Sequence, residues 1–287
     1  MRPLDAATIE AWLSATQPRR VSLYGSYALL MAAVLGFMAL LVLGPRLGLS
    51  QTVCTLVPLV LLAGFVVVAW FQGRRHQWCG RAVLAASQHL QLEERDAARA
   101  ELEEIMRGSI RSISDRGEAF LLVAALAEAE NRYDVAARVY ESLLIRRIGD
   151  ATQLQRAQIA LAEAKLRNEE LTDAVHMIGR LEQLPMPQAM RTTLDLVRLF
   201  QQVFMGHAED AVRNIEERRS MYRRFLSTRA AYGYGLLAAA LHALGRHDEA
   251  AKLWRDATTL MTTDRLIAAY DVLAPLARAY DAQEHAV

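Results

Sequence analysis

Lysine is almost missing from this chain of 287 residues: Lys165 and Lys252 stand against 31 arginines. Arginine forks onto carboxylates and phosphates where lysine cannot, although a GC-rich genome, which also favours alanine, accounts for the same bias. An excess of charge is missing too. The 33 Lys+Arg face 32 Asp+Glu, which excludes a polybasic nucleic-acid binder and an acidic disordered chain. Two cysteines, Cys54 and Cys79, with no Cys-x-x-Cys, exclude a disulfide framework and leave two free thiols. No His-Glu-x-x-His, paired carboxylates or nucleophile–base constellation stands out. The expectation is a protein that is not an enzyme and has no catalytic residues, no metal site and no cofactor. His242 and His247 flank a turn beside Asp248 and Glu249, which tempts a metal assignment, yet these are ordinary turn positions of a helical repeat.

Charge is missing in another sense, locally. Residues 1–73 hold four arginines and two acids. Within them, 21–43 is a run of 23 residues and 52–71 a run of 20, neither with Asp, Glu, Lys, Arg or His. As helices these reach about 34 and 30 Å, enough to cross a hydrocarbon core. A cleaved signal peptide fits poorly, because the first run is too long and a second follows at once. A buried soluble hairpin is the other competing reading. Gly44, Pro45 and Gly48 supply the turn between the runs, so 21–73 reads as a two-span transmembrane hairpin. Arg2, Arg19 and Arg20 precede it and Arg74, Arg75 and Arg81 follow it, against Arg46 in the turn. The positive-inside rule then places both termini in the cytoplasm. With no ionisable group at membrane depth apart from two tyrosines, the hairpin reads as an anchor rather than a transport path. Ala28, Ala32 and Gly36 either pack the two spans together or join two copies as a homo-oligomer. Pro58 and Gly64 are places where the second span could bend. Ahead of the hairpin, residues 1–20 form a short amphipathic segment with Asp5 as N-cap and Pro18 as stop. It lies on the membrane or packs on the soluble part; the sequence leaves both open.

From 79 to 287 the pattern is helical and it repeats. Ala98, Ala136, Ala174, Ala211 and Ala250 are separated by 38, 38, 37 and 39 residues. Twelve positions before each stand Ala86, Ala124, Ala162, Leu199 and Ala238. Four positions after come Leu102, Tyr140, Ile178, Ile215 and Trp254. Small residues at fixed places on two helices, with a large one a turn later, suit stacked helix pairs. Five such units, then a C-terminal capping helix around Leu273, Leu276, Ala277 and Tyr280, give an all-α chain: a helical hairpin followed by an αα-repeat solenoid. Pro275 is expected to kink the last helix.

Leu237, Ala238, Leu241, Gly245, His247, Ala250, Trp254 and Ala257, and in the second unit Phe120, Val123, Ala124, Ala127, Tyr133, Ala136, Tyr140 and Leu143, resemble the signature of the tetratricopeptide repeat family. The period is longer than that family's usual 34, and the usual proline after the second helix is missing in most units. The resemblance implies a concave groove, lined by first helices, that holds a peptide or helix of a partner. By it, Arg156, Glu163, Arg167, Phe200, Phe204 and Tyr232 face that groove, unless Phe200 and Phe204 belong to the core. The Lys and Asn positions of the family's carboxylate clamp hold other residues here, which argues against a chaperone-tail ligand.

Arg218, Arg219, Arg223 and Arg224 form the densest basic run, a contact for an anionic surface or a solvated face paired with Glu216 and Glu217. Tyr232-Gly233-Tyr234-Gly235 lacks the strand a phosphate loop needs and reads as small packing residues. Together these readings lead to a membrane-tethered scaffold, in the cytoplasmic membrane of a bacterium, that recruits proteins and binds no nucleic acid. The alternative is a non-catalytic assembly or regulatory subunit of a membrane enzyme complex, since the layout is similar to the bacterial HemY-type family.

Overall fold

The computed structural model describes residues 5–17, 36, 51–108, 110 and 112–284. Every regular element among them is helical. The chain divides into two compact units, Met1–Leu154 and Gln155–Val287.

The first unit opens with α1 (Ala6–Ala15), started by Asp5, whose carboxylate accepts from the Thr8 backbone N–H at 2.7 Å. Then comes α2 (Gln51–Gln91), a single helix of 41 residues that runs through Pro58 and Gly64 and on past residue 79. No loop separates its apolar first half from the half that pairs with α3 (Arg95–Met106). Next are α4 (Ile113–Ala129) and α5 (Tyr133–Ile145), which pack on each other. Helix α6 (Ala151–Arg167) begins in this unit and continues into the next. Asp150 and Gln153 cap it reciprocally, each side chain accepting from the other's backbone N–H at 2.9 and 3.0 Å.

The second unit holds α7 (Leu171–Glu182), α8 (Gln188–Phe204), α9 (Ala208–Val212), α10 (Ile215–Phe225), α11 (Ala230–Ala243), α12 (His247–Leu260), the short α13 (Thr263–Ala269) and α14 (Ala274–Glu284). Its core is built around α11, which packs on α8, α9, α10, α12 and α14.

The repeat is written in the backbone as well as in the side chains. Ala86, Ala98, Ala124, Ala136, Ala162, Ala174, Leu199, Ala211, Ala238 and Ala250 all have 0% exposure. Five residues ahead of each second-helix alanine, the connecting turn places one residue in the left-handed region: Glu93, Asn131, Glu169, Gly206 and Gly245, with φ from 56° to 77°. The next residue's N–H then reaches back to the carbonyl five positions earlier. Glu94 binds His89 O, Arg132 Ala127 O, Glu170 Lys165 O, His207 Gln202 O and Arg246 Leu241 O, all at 2.8–2.9 Å. This is the Schellman closure that satisfies the last carbonyls of a helix. The fourth unit departs from the others. Its second helix stops at Val212, Asn214 turns left-handed, and Ile215 restarts as α10, so Ile215 is only partly buried where Leu102, Tyr140, Ile178 and Trp254 are buried.

Two expectations about the ends are resolved. Helix α1 packs on the helical unit: Ile9 and Leu13 are buried, and α1 contacts α5. Arg116, buried on α4, donates through Nε to Thr16 Oγ1 at 3.1 Å and through a terminal nitrogen to Leu13 O at 2.8 Å. Arg146 donates to both carboxylate oxygens of Glu10. Pro275 lies at the start of the last helix rather than inside it. It sits at the second position of α14, where a missing N–H costs nothing.

The stretch 21–43, apart from Gly36, lies outside the described residues, as do most side chains of 51–71. Among the residues whose side chains are described, no helix is long and apolar enough to cross a membrane.

Candidate functional site

Helices α6 and α8 bring Glu163, Arg167, Phe200 and Phe204 together, and α11 adds Tyr232. Positions 163 and 167 are one turn apart on α6, so Arg167 donates to Glu163 Oε1 at 2.8 Å. Phe200 and Phe204, one turn apart on α8, have ring centroids 5.7 Å apart. The Arg167 guanidinium carbon lies 5.3 Å from the Phe200 ring centroid, a cation–π contact.

At the centre of this group stands a residue the sequence pattern did not single out. Tyr270 follows α13 in extended conformation, at φ −141° and ψ 97°. Its ring lies 4.8 Å from Phe200 and 5.5 Å from Tyr232, its hydroxyl donates to Glu163 Oε1 at 3.0 Å, and Arg167 covers it at 4.5 Å. Arg167 also donates to the carbonyl of Ala269. The segment Ala269–Tyr270 thus occupies the face of α6 and α8 where the resemblance puts a partner peptide. Phe200 is buried beneath it at 3% exposure, whereas Phe204 stays 37% exposed and Tyr232 is half-buried. Arg156, two turns before Glu163 on α6, is exposed.

The electrostatics follow from this packing. Burial alone would raise the Glu163 carboxyl, but the charge and hydrogen bond of Arg167, with Arg229 and the Tyr270 hydroxyl, outweigh it and hold Glu163 below the usual carboxylate range. Tyr270 is pushed well above the usual phenol range by burial and by the neighbouring Glu163 charge, against the pull of Arg167 and Arg229. Tyr232 is raised by burial, partly offset by Arg229 and Arg265. The cluster is therefore one carboxylate held ionised, one neutral phenol bonded to it, and a guanidinium stacked on two rings. That chemistry grips a backbone carbonyl and an aromatic side chain, as it does for Ala269 and Tyr270.

The basic run divides in two. Arg218 is buried and committed to the fold, donating to Ala211 O at 2.6 Å, Gln202 Oε1 at 3.2 Å and Asp195 Oδ1 at 3.2 Å. Arg219 bonds Glu216 and Asp256. Only Arg223 and Arg224 of the four are exposed, in the last turn of α10 where cations complement the helix dipole. Tyr222 explains the first glycine of the pair on α11, and Leu273, which a Cβ on Gly235 would meet at 3.0 Å, the second. A Cβ on Gly233 would come within 2.3 Å of the Tyr222 ring, so Gly233 is small to let that ring pass while its hydroxyl bonds Asp195 Oδ2 at 2.6 Å. Cys79 is a buried thiol outside any disulfide. Among the described residues no group of three or more His, Cys, Asp or Glu is placed to hold a metal ion.

Comparison with family models, curated proteins and solved structures finds no match to this chain.

Proposed function

We propose that the protein is a membrane-tethered interaction scaffold: an N-terminal hairpin holds a cytoplasmic, tetratricopeptide-like array of helix pairs that recruits partner proteins. The observation that carries the tether is the bare apolar face of α2. Leu56, Leu59, Val60 and Val67 are each more than half exposed on a helix segment without a charge. A face of that kind needs lipid or protein around it, and the adjoining uncharged run at 21–43 supplies a second segment of spanning length. Because α2 continues unbroken into the first helix pair and α1 is docked by Arg116, the array meets the hairpin through helix rather than through a loose linker. Recruitment is supported by the periodic helix pairs, by the exposed Phe204 and half-buried Tyr232 of the Arg167 cluster, and by the exposed Arg156 two turns earlier on α6. Arg223 and Arg224 are the positions left for an anionic surface.

The second reading is a non-catalytic assembly or regulatory subunit of a membrane enzyme complex. The helical continuity favours it, because a fixed attitude suits one stoichiometric neighbour more than varied clients.

Alkaline carbonate extraction of membranes holding the full chain tests the tether. The native chain is expected in the pellet, and a Val60→Asp/Val67→Asp variant in the supernatant. Release of the native chain would overturn the reading.

A further inference from the structure

The turn between α11 and α12 brings three polar atoms together at the end of the fifth helix pair. His242 stands in the last turn of α11 and His247 opens α12. The Schellman closure at Gly245 folds the chain back so that the two Nδ1 atoms are 3.3 Å apart, with ring planes at 65°. The Tyr280 hydroxyl, from α14, lies 2.9 Å from the same His242 Nδ1 and 3.2 Å from the His247 carbonyl. An imidazole nitrogen has one in-plane site, holding either a proton or a lone pair. His242 Nδ1 therefore has two close neighbours for a single site, and no arrangement of protons serves both contacts well.

One metal ion would use that convergence fully. Imidazole–zinc bonds are about 2.0–2.1 Å, so two imidazole nitrogens on one tetrahedral ion sit about 3.3–3.4 Å apart. The observed separation is 3.3 Å. His247 is exposed and His242 half-buried, so an ion can reach both. The donor set also selects the ion. Imidazole suits the later first-row metals, whereas calcium and magnesium require oxygen cages.

We propose that Nδ1 of His242 and Nδ1 of His247 chelate a divalent ion of the zinc, nickel or copper class, the Tyr280 hydroxyl keeping only its bond to the His247 carbonyl. With two ligands from this chain, the ion keeps open positions that water or donor groups of a partner fill. It also ties the end of α11 to the start of α12 in a way available only to the folded chain, so it stabilises that fold. Along the sequence the two histidines tempt a metal assignment but read as ordinary turn positions. It is the folded turn that points to the ion.

Isothermal titration of the full-length protein with ZnCl2 tests the assignment. The native chain is expected to bind one ion saturably, and His242→Ala and His247→Ala each to bind at least tenfold more weakly. Tyr280→Phe, which keeps both imidazoles, is expected to bind within threefold of the native chain. Zinc is expected to raise the melting temperature of the native chain and of neither histidine variant, with the metal-free melts of all three serving as the check on folding. Absence of saturable binding by the native chain would overturn the proposal. So would undiminished binding by the His242→Ala/His247→Ala double variant, which would put the ion elsewhere.

Discussion

The guanidinium of Arg167 lies 4.5 Å from the ring of Tyr270 and also contacts the Phe200 ring, the Glu163 carboxylate and the Ala269 carbonyl. A residue that the family resemblance would turn toward a partner thus holds a segment of its own chain. Removing the ring should be costly: Tyr270→Ala is expected to lose about 3–5 kcal/mol, in line with other large-to-small core truncations. Tyr270→Phe keeps the ring and removes one bond to a charged acceptor, worth about 1.5–3 kcal/mol. Denaturant melts of the three chains should fall in that order.

The same cluster makes stability depend on pH at both ends. Glu163 has a depressed folded-state value, so its contribution is present above the ordinary carboxylate range and is lost as pH falls through the folded value. Glu163→Gln should flatten the acid limb of a stability–pH curve. Tyr270 in the cluster, and Tyr222 outside it beside Asp195, are raised, so their contribution is full below the ordinary phenol value of about 10 and is lost as pH rises from there. Tyr222→Phe should flatten the alkaline limb while leaving the acid one unchanged.

The left-handed turn residues give a paired test. Gly245→Ala meets no atom within 4 Å, so its cost is backbone strain alone, about 1–2 kcal/mol. Glu169, at φ 61° and exposed, already bears such strain, and Glu169→Gly should gain up to about 1 kcal/mol after the added chain entropy is offset. Opposite signs in the two melting shifts are the expected outcome.

Docking of α1 rests on Leu13 and Arg116. Arg116→Ala should leave Leu13 O and Thr16 Oγ1 without their donor and raise amide hydrogen exchange in residues 6–15 well above the native level. Exchange in α11 and α12 should not change.

What could be read from the sequence was what depends on local spacing. The alanines at 38, 38, 37 and 39 residues mark the close approach of paired helices, and every one of them is fully buried. The glycines of 232–235 were legible as packing residues for the same reason. Tyr270 was not, because the segment that carries it follows the fifth pair and has no counterpart in the other units. Its place is set by long-range contacts with α6 and α8. Arg218 and Arg219 looked like part of one basic face, yet their partners Asp195 and Asp256 come from other helices. Spacing along the chain carries no record of such pairs. The break of the fourth unit at Asn214 left one trace, an Asn where Glu101, Val139, Met177 and Leu253 stand in the other units. The docking of α1 left only an amphipathic face that suited membrane or protein equally, since its anchor is a hydrogen bond across about a hundred residues.

Site-specific photo-crosslinking in intact membranes tests the central claim most directly. A photoreactive residue at Phe204 of the full-length chain should give a discrete protein adduct that pellets with the membrane. The same probe at Val175, an exposed position on α7, should give none or a different one. Identical adducts from both positions, or no adduct from position 204 while the chain sits in the membrane, would contradict the account of a tethered array with a partner-binding face.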